Sequence, residues 1–199
     1  MQLFKYKKSY LFDASDNLPL GSKNKAVKIF LILLCGVLIF ANCSTSSRIY
    51  IVRHAEKDSI GQDPNLTAEG LQRAIDLADY MSNKKIRNIY STNTNRTKQT
   101  AAPLSERKGM KIQVYVNDTL QKFLYRILES GNNALIVAHS NTSLRMLKEL
   151  SLTPGIKTIP EDDYDNLFIV TLKSRSGPSG FNLKLKETTY GKKSPVPKD

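Results

Sequence analysis

Short apolar segments alternate with amphipathic ones along most of this chain. Segments rich in Ile, Val, Leu and Tyr predict six strands, at residues 48–53, 86–91, 111–116, 134–138, 167–172 and 181–186. Apolar side chains at helical spacing predict four helices between the strands, beginning near Thr67, near Thr94 or Asn95, at Thr119, and near Asn141 or Thr142. Strands that alternate with helices predict a three-layer α/β/α sandwich with a mostly parallel central sheet.

Local signals refine the ends of these elements. Thr67 is predicted to cap the first helix, with Glu69 in its first turn, where the helix dipole favours a carboxylate. Pro103 lies inside the second predicted helix, so we expect a kink or an early end there. The sequence Gly-Pro-Ser-Gly at 177–180 predicts a turn, so the last two strands are expected to form a hairpin at a sheet edge.

An apolar segment without charges precedes the predicted domain, at residues 29–41. A membrane-spanning helix needs about 20 apolar residues, so this segment is short for one and fits the apolar region of a signal peptide. Lysines precede the segment, and Cys43 follows it, before a small polar run. The arrangement resembles a bacterial lipoprotein signal, in which Cys43 becomes the lipidated first residue. A retained anchor, a plain signal peptide, a buried core helix and a start codon placed too early are the alternatives.

The chain is therefore predicted to have three parts. Residues 1–47 are a signal or anchor segment with a short linker, residues 48–190 form one domain, and residues 191–199 are a Lys- and Pro-rich disordered tail. This organisation predicts a protein of the bacterial cell envelope, either exported or held at the membrane by its N-terminus.

Composition narrows the classes of function. The formal net charge is +12, but the lysines are scattered, so we expect an anionic substrate and no nucleic-acid partner. Both cysteines, Cys35 and Cys43, lie in or beside the apolar segment. The predicted domain therefore has neither a disulfide framework nor thiolate chemistry.

The two histidines of the chain each follow directly after a predicted strand. His54 ends the segment IYIVRH, and His139 ends ALIVAH. Because ligands bind at the carboxyl ends of the strands in open α/β sheets, both histidines are expected at one binding edge. Arg53 precedes His54, and Arg96 begins the helix after another strand. Two guanidinium groups and two imidazoles in one pocket suit a phosphoryl group.

Four motifs in this order resemble the histidine phosphatase superfamily, which has the phosphoglycerate-mutase-like fold. Arg53-His54-Ala55-Glu56 resembles its Arg-His-Gly-Glu signature, with alanine in place of the glycine. The other three are the Leu-Thr-x-x-Gly motif at 66–70, the Ser-x4-Arg…Thr-Ala motif at 91–101, and the second histidine motif at 137–140. The order and spacing agree from about residue 48 to 150.

The resemblance implies a metal-independent phosphatase without a cofactor, acting on a small phosphorylated substrate. His54 is then the nucleophile that becomes phosphorylated, while Arg53, Arg96 and His139 hold the phosphoryl oxygens. The general acid is the open position, because Ser140 follows His139 where some members have Asp.

Four further residues are candidates for the site. Asp118, after the third strand, is the first candidate for the general acid, and Glu56 is the second. A cap or turn at Asp118 and an orienting role for Glu56 are the alternatives. Lys57 and Asn141 lie close to the histidines in sequence and are candidates for binding substrate, with solvated or capping roles as alternatives.

Three other functions stay open at this point. The domain could be a phosphate-binding envelope lipoprotein without turnover, or a mutase that returns the phosphoryl group to its substrate. A metal hydrolase using His54, Glu56 and His139 is disfavoured, since these residues lack the usual spacing of metal ligands. The acidic segment 161–165 is expected to be a solvated loop, or else a rim that excludes substrates.

Overall fold

A computed structural model of the chain describes residues 46–176 and 180–195. In this part of the chain, strands and α-helices alternate up to the last two strands. The elements are β1 (Arg48–Arg53), α1 (Ala68–Met81), β2 (Ile86–Ser91), α2 (Asn95–Lys108), β3 (Ile112–Val114), α3 (Leu120–Ser130), β4 (Asn133–Ala138), α4 (Ser140–Glu149), β5 (Asn166–Ser176) and β6 (Gly180–Thr189). A single 3-10 turn, Asn117–Thr119, precedes α3.

The six strands form one sheet in the order β3-β2-β4-β1-β5-β6. The pairs β3-β2, β2-β4 and β4-β1 are parallel, whereas β5 runs antiparallel to both β1 and β6. The predicted three-layer sandwich with a mostly parallel sheet is thereby confirmed. Strands β5 and β6 pair as predicted at one edge, although most of the expected turn at 177–180 lies outside the described residues.

The alternation of side chains along β1 builds both faces of the core. Ile49 and Ile51 pack on one face, against residues of α3 and α4. Tyr50 and Val52 pack on the other face, against residues of α1 and α2. A strand buried on both faces needs apolar residues at every position, which explains the continuous apolar run before His54. Burial on both faces fixes β1 in the centre of the sheet and with it the position of His54.

The start of α1 is fixed against the loop that follows β1. Thr67 caps the helix as predicted, and its hydroxyl accepts a hydrogen bond from the Gly70 backbone N–H at 3.1 Å. The backbone N–H of Thr67 donates to the carbonyl oxygen of Glu56 at 3.0 Å. A Cβ atom at Gly70 would lie 2.1 Å from that same carbonyl oxygen, so only glycine lets the helix approach this closely.

Several element boundaries differ from the sequence-based expectation. Helix α2 runs through Pro103 to Lys108, because Ala101 and Leu104 are buried under the sheet while Pro103 faces partly outward. Helix α4 begins at Ser140, and its N-cap residue is His139 rather than Asn141 or Thr142. Strand β3 is shorter than predicted, and α3 begins one residue later, after the 3-10 turn.

Residues 191–195, which are predicted to belong to a disordered tail, contact the domain. Arg73 donates to the carbonyl oxygen of Lys192 at 2.7 Å, and the hydroxyl of Ser194 accepts from the Tyr164 backbone N–H at 2.9 Å. These hydrogen bonds hold residues 191–195 against the domain, which charge composition alone does not predict.

The predicted signal segment, its apolar part at 29–41 and the lipidation candidate Cys43 all lie outside the described residues. Among the residues that the structure describes, no helix combines the length and the apolar character that crossing a bilayer requires.

Candidate active site

The pairing of β1 with β4 places the two histidines side by side. Arg53 and Ala138 are register partners, and the backbone N–H of His54 donates to the carbonyl oxygen of Ala138 at 2.9 Å. The next residue after each partner is a histidine. The imidazole rings of His54 and His139 are therefore neighbours, with centroids 5.5 Å apart in a T-shaped arrangement.

The tautomer of His54 follows from its hydrogen bond. Its Nδ1 lies 2.8 Å from the carbonyl oxygen of Ala55, and because a carbonyl can only accept, Nδ1 carries the proton. Nε2 of a neutral ring then keeps its lone pair. Burial lowers the pKa of His54 to about 3, and the charges of Arg53 and Arg96 act in the same direction. His54 is therefore a neutral imidazole at neutral pH, the form that a nucleophile requires.

His139 is held by the end of the neighbouring strand. Its Nε2 lies 3.0 Å from the hydroxyl oxygen of Thr92, the residue directly after β2. Burial lowers the pKa of His139 to about 4, with further contributions from Arg96 and Arg53. The ring is therefore neutral as well, and its contact with Thr92 fixes its orientation.

Arg53 is almost fully buried, at 2% exposure, and is held by the segment 160–164. Its Nη1 donates to the carbonyl oxygens of Pro160, at 2.5 Å, and Asp163, at 3.1 Å. Its Nη2 lies 3.2 Å from a carboxylate oxygen of Glu161, and its guanidinium stacks 4.3 Å from the ring centroid of Tyr164. These contacts fix the guanidinium beside His54.

Arg96 lies at the start of α2, with its side chain 19% exposed. Its Nη1 lies 3.4 Å from a carboxylate oxygen of Asp63, which also accepts from the backbone N–H of Asn95 at 3.0 Å. The Nε atoms of Arg53 and Arg96 are buried and have no partner among the described residues. Two guanidinium groups whose Nε donors are buried and unused suit an anionic ligand that supplies acceptor oxygens.

These side chains meet at a cavity of about 350 Å³. It is lined by Arg53, His54, Lys57, Arg96, Asn117, His139, Ser140, Asn141, Thr142 and Glu161. The structure thus brings together six of the predicted site residues: both histidines, both arginines, Lys57 and Asn141.

The two acid candidates lie elsewhere. Both carboxylate oxygens of Glu56 accept from Nε of Arg73, at 2.8 and 2.9 Å, and Glu56 lines a separate cavity beside Arg73. Asp118 is exposed in the 3-10 turn and is not among the described residues that line the histidine cavity. The geometry favours the orienting alternative for Glu56 and the turn alternative for Asp118.

Sequence reasoning did not single out Thr92, Asn117 or the individual role of Glu161. Thr92 follows directly after β2, so the rule that placed the histidines at strand ends also applies to it. Asn117 precedes Asp118, and the turn directs Asn117 rather than Asp118 to the cavity. Glu161 reaches Arg53 from more than 100 positions away, and no local pattern indicates that contact.

Comparison with known proteins agrees with this geometry. The sequence model of the histidine phosphatase superfamily, branch 1, matches residues 49–128, which include both arginines and His54. Residues 49–128 are therefore similar in sequence to the histidine phosphatase superfamily, in agreement with the resemblance of the motifs. No curated protein sequence matches the chain.

Solved structures show the same fold at low sequence identity. A mycobacterial glucosyl-3-phosphoglycerate phosphatase superposes with a TM-score of 0.57 at 14% identity, covering 70% of this chain and 97% of its own. The protein histidine phosphatase SixA, in complex with tungstate, gives 0.57 at 18% identity, covering 71% and 96%. A protein described as mycobacterial hydrolase 2 gives 0.59 at 14% identity, covering 76% and 93%. At these identities, the likeness shows that the fold is shared.

Within the described parts of the chain, no group of three or more His, Cys, Asp or Glu side chains is arranged to hold a metal ion.

Proposed function

We propose that this domain is a metal-independent phosphatase that forms a phosphohistidine intermediate on His54. One observation carries the proposal: Nδ1 of His54 donates to the Ala55 carbonyl oxygen, so Nε2 of this neutral ring has a free lone pair. The same cavity is lined by Arg53 and Arg96, whose charges stabilise the phosphoryl oxygens during transfer.

The proposed reaction has two displacements at phosphorus. In the first, Nε2 of His54 attacks, the N–P bond forms, and the bond from phosphorus to the leaving group breaks with its electron pair going to the leaving group. In the second, a water oxygen attacks the phosphohistidine, the N–P bond breaks, and inorganic phosphate leaves with neutral His54 restored. The water gives up one proton, which balances the proton that the leaving group takes.

The leaving group decides how much acid catalysis the reaction needs. Neither Asp118 nor Glu56 lies in the histidine cavity, so we propose substrates whose leaving groups depart without strong protonation. Aryl phosphates, phosphoanhydrides and phosphohistidine belong to this class. The alternative, a phosphate-binding protein without turnover, is favoured by the same observation, and the experiment below separates the two.

The structural neighbours do not identify the substrate of this domain. One is a glucosyl-3-phosphoglycerate phosphatase and another is the protein histidine phosphatase SixA. Because both share the fold of this chain at 18% identity or less, the substrate has to be read from the residues around the pocket.

The test is hydrolysis of an activated aryl phosphate by the full chain in the presence of EDTA, beside His54→Ala. We expect phosphate release by the wild type, a burst of the aryl alcohol equal to the enzyme concentration if dephosphorylation is slow, and no turnover in His54→Ala. Acid-labile, base-stable phosphate bound to the protein after rapid quenching identifies phosphohistidine.

A matched control is Arg107→Ala, which also removes an arginine of α2 but lies in an exposed ion pair with Asp79. It should retain wild-type turnover, whereas Arg96→Ala should lose both turnover and phosphate affinity. Activity retained in His54→Ala overturns the mechanism. Phosphate binding without turnover in the wild type supports the binding protein instead, and activity lost in EDTA supports the metal hydrolase.

We further propose that the domain is exported and tethered at Cys43. The apolar segment 29–41, its preceding lysines and the position of Cys43 support this location. Metabolic labelling with a radioactive fatty acid tests the proposal. Label on the wild type and none on Cys43→Ser is expected, while equal labelling of Cys35→Ser and wild type controls for the other cysteine.

A further inference from the structure

One carboxylate reaches into the positively charged cavity. Glu161 lines the cavity with both histidines, and its Oε2 lies 3.2 Å from Nη2 of Arg53. Its side chain is 86% exposed, whereas His54 is 3% exposed. His54 therefore forms the floor of the cavity and Glu161 part of its rim.

The two arginines of the site each have a carboxylate partner, but the partners are held differently. Asp63 accepts two hydrogen bonds of 3.0 Å from the backbone N–H of Asn95, so the helix start fixes it beside Arg96. Glu161 contacts Nη2 of Arg53 through one oxygen, from a side chain that is otherwise surrounded by solvent. Of the two carboxylates, Glu161 is therefore the one that is free to leave its arginine or to remain beside it when an anion binds.

We propose that Glu161 is a specificity-determining residue, which favours phosphoryl groups carried on neutral or cationic leaving groups over those carried on leaving groups with a second negative charge. The inference rests on the proposed phosphatase function and names its substrate class. Aryl phosphates that are unsubstituted or carry an aminomethyl group belong to the favoured class. Phosphorylated acids belong to the disfavoured class.

The charges of the cavity give the physical reason. Its lining carries three permanent cations, Arg53, Lys57 and Arg96, against the single carboxylate of Glu161. The lining charge of +2 is reduced to +1 by the Asp63 carboxylate paired with Arg96, so the cations do not exceed the charge of the phosphoryl dianion and leave nothing to balance a further anion. Removal of Glu161 would supply one additional uncompensated cation at the rim.

Geometry brings the leaving group to the same rim. In an in-line displacement, the leaving group departs on the side of phosphorus opposite the attacking nitrogen. Because His54 is at the floor of the cavity, that side is the open one, where Glu161 lies. A negative leaving group is repelled there by the carboxylate, and a positive one is attracted to it.

A general-acid role for Glu161 is the competing explanation, and it makes the opposite prediction. One carboxylate oxygen of Glu161 accepts a hydrogen bond from Arg53 at 3.2 Å, so this oxygen is engaged in the ion pair. If Glu161 were nevertheless the acid, its removal would lower kcat for every substrate and most for poor leaving groups. Removal of a specificity residue changes the ratio of kcat/KM between substrates and leaves kcat for the neutral substrate unchanged.

The test uses three phenyl phosphates that differ in the para substituent: hydrogen, carboxylate or aminomethyl. The three corresponding phenylphosphonates, which cannot be hydrolysed, are measured in parallel by calorimetry on the full chain. In the wild type we expect kcat/KM and affinity to decrease from aminomethyl through hydrogen to carboxylate.

In Glu161→Gln, we expect the carboxylate compound to improve about fivefold relative to the neutral one, in both kcat/KM and affinity. This is the effect of removing one unit charge at roughly 7 Å with an effective dielectric of about 50, between the values of a protein surface and bulk water. The control is Asp162→Asn, which removes the same charge from the next residue, at the separate cavity beside Arg73. Its ratios should stay within about twofold of the wild type.

The outcomes are distinct. Equal ratios of kcat/KM between the carboxylate and neutral compounds in Glu161→Gln and wild type overturn the inference. A loss of kcat in Glu161→Gln for all three phosphates, with unchanged phosphonate affinities, also overturns it. Failure of every phosphonate to bind also overturns it. Charge-selective phosphonate binding without hydrolysis of any phosphate sinks the proposed phosphatase function but supports the inference about Glu161.

Discussion

His54 is hydrogen-bonded through its backbone N–H to Ala138, the residue that precedes the second histidine, at 2.9 Å. This single ladder bond sets the relation between the two imidazoles, since each follows a paired strand end. The core of the sheet therefore positions the proposed nucleophile, because β1 cannot shift by one residue without moving buried side chains to the opposite face.

The protonation of His54 should be unusual and directly visible. Burial lowers its pKa to about 3 and that of His139 to about 4, so both rings should remain neutral down to about pH 5. Nitrogen-15 NMR of the imidazoles should show a protonated Nδ1 and an unprotonated Nε2 for His54. Since the chain has two histidines, His139→Gln suffices to assign the signals. A ring that titrates near pH 6.5 contradicts the buried, neutral site.

The same pKa shifts predict how stability depends on pH. The folded pKa of each histidine lies below the ordinary value of 6.5, so the unfolded chain binds more protons than the folded one between about pH 3 and 6.5. Stability from these groups is complete above pH 6.5 and is lost as the pH falls toward 3. Urea unfolding of wild type and His139→Gln from pH 4 to 7 measures it, and the variant should show the shallower slope.

Thr92 should act as a positioning residue for His139. Its hydroxyl lies 3.0 Å from Nε2 of His139 and 3.0 Å from the hydroxyl of Thr97, and Thr92→Val removes both contacts with little change in volume. We expect kcat of Thr92→Val to fall about tenfold, the rate equivalent of one neutral hydrogen bond. The melting temperature of Thr92→Ser should equal that of the wild type. Rescue of kcat by Thr92→Ser separates the hydroxyl from the methyl group. Wild-type kcat in Thr92→Val would show that His139 needs no such partner.

Glu56 should matter for stability rather than for proton transfer. It pairs with Arg73, which is 3% exposed and also donates to the carbonyl oxygen of Lys192. Glu56→Gln leaves a buried guanidinium without its counter-charge, and we expect a loss of about 2–4 kcal/mol in the free energy of unfolding. Chemical denaturation measures the loss. The control Glu69→Gln, whose exposed carboxylate pairs with Lys192, should change stability little.

A pH–rate profile distinguishes the two roles of Glu56. If Glu56→Gln keeps the shape of the wild-type profile at a temperature where it is fully folded, its role is structural. A profile that loses its alkaline limb without any loss of stability would restore Glu56 as the general acid.

Periodicity and strand ends were sufficient to predict the architecture and the main site. The apolar runs before His54 and His139 predict two buried strands. Because ligands bind at the carboxyl ends of the strands in such sheets, the two histidines are then expected to lie close together. The same rule does not predict which side chain of a loop enters the cavity. Asn117 lines it and Asp118 does not, a difference of one residue that the 3-10 turn determines.

Long-range contacts account for the other differences. The link between Arg53 and the segment 160–164 spans more than 100 residues and involves backbone carbonyl oxygens, which every residue possesses. The contact between Arg73 and Lys192 is of the same kind. Such contacts depend on where the completed sheet places two loops, so no local pattern of residue types predicts them.

Gly70 provides the sharpest test of how the loop after β1 is held. Alanine is the better helix former by about 1 kcal/mol, so helix propensity alone predicts that Gly70→Ala is stabilising. A Cβ atom there would lie 2.1 Å from the carbonyl oxygen of Glu56, which cannot move without breaking its hydrogen bond from Thr67. We expect the overlap to dominate and the free energy of unfolding to decrease by about 3 kcal/mol. The control is Gly155→Ala, whose added Cβ would lie 3.7 Å from the Glu187 carboxylate, an ordinary contact. Urea denaturation that shows Gly70→Ala as stable as Gly155→Ala would mean that α1 is not held this closely against the loop that carries Glu56.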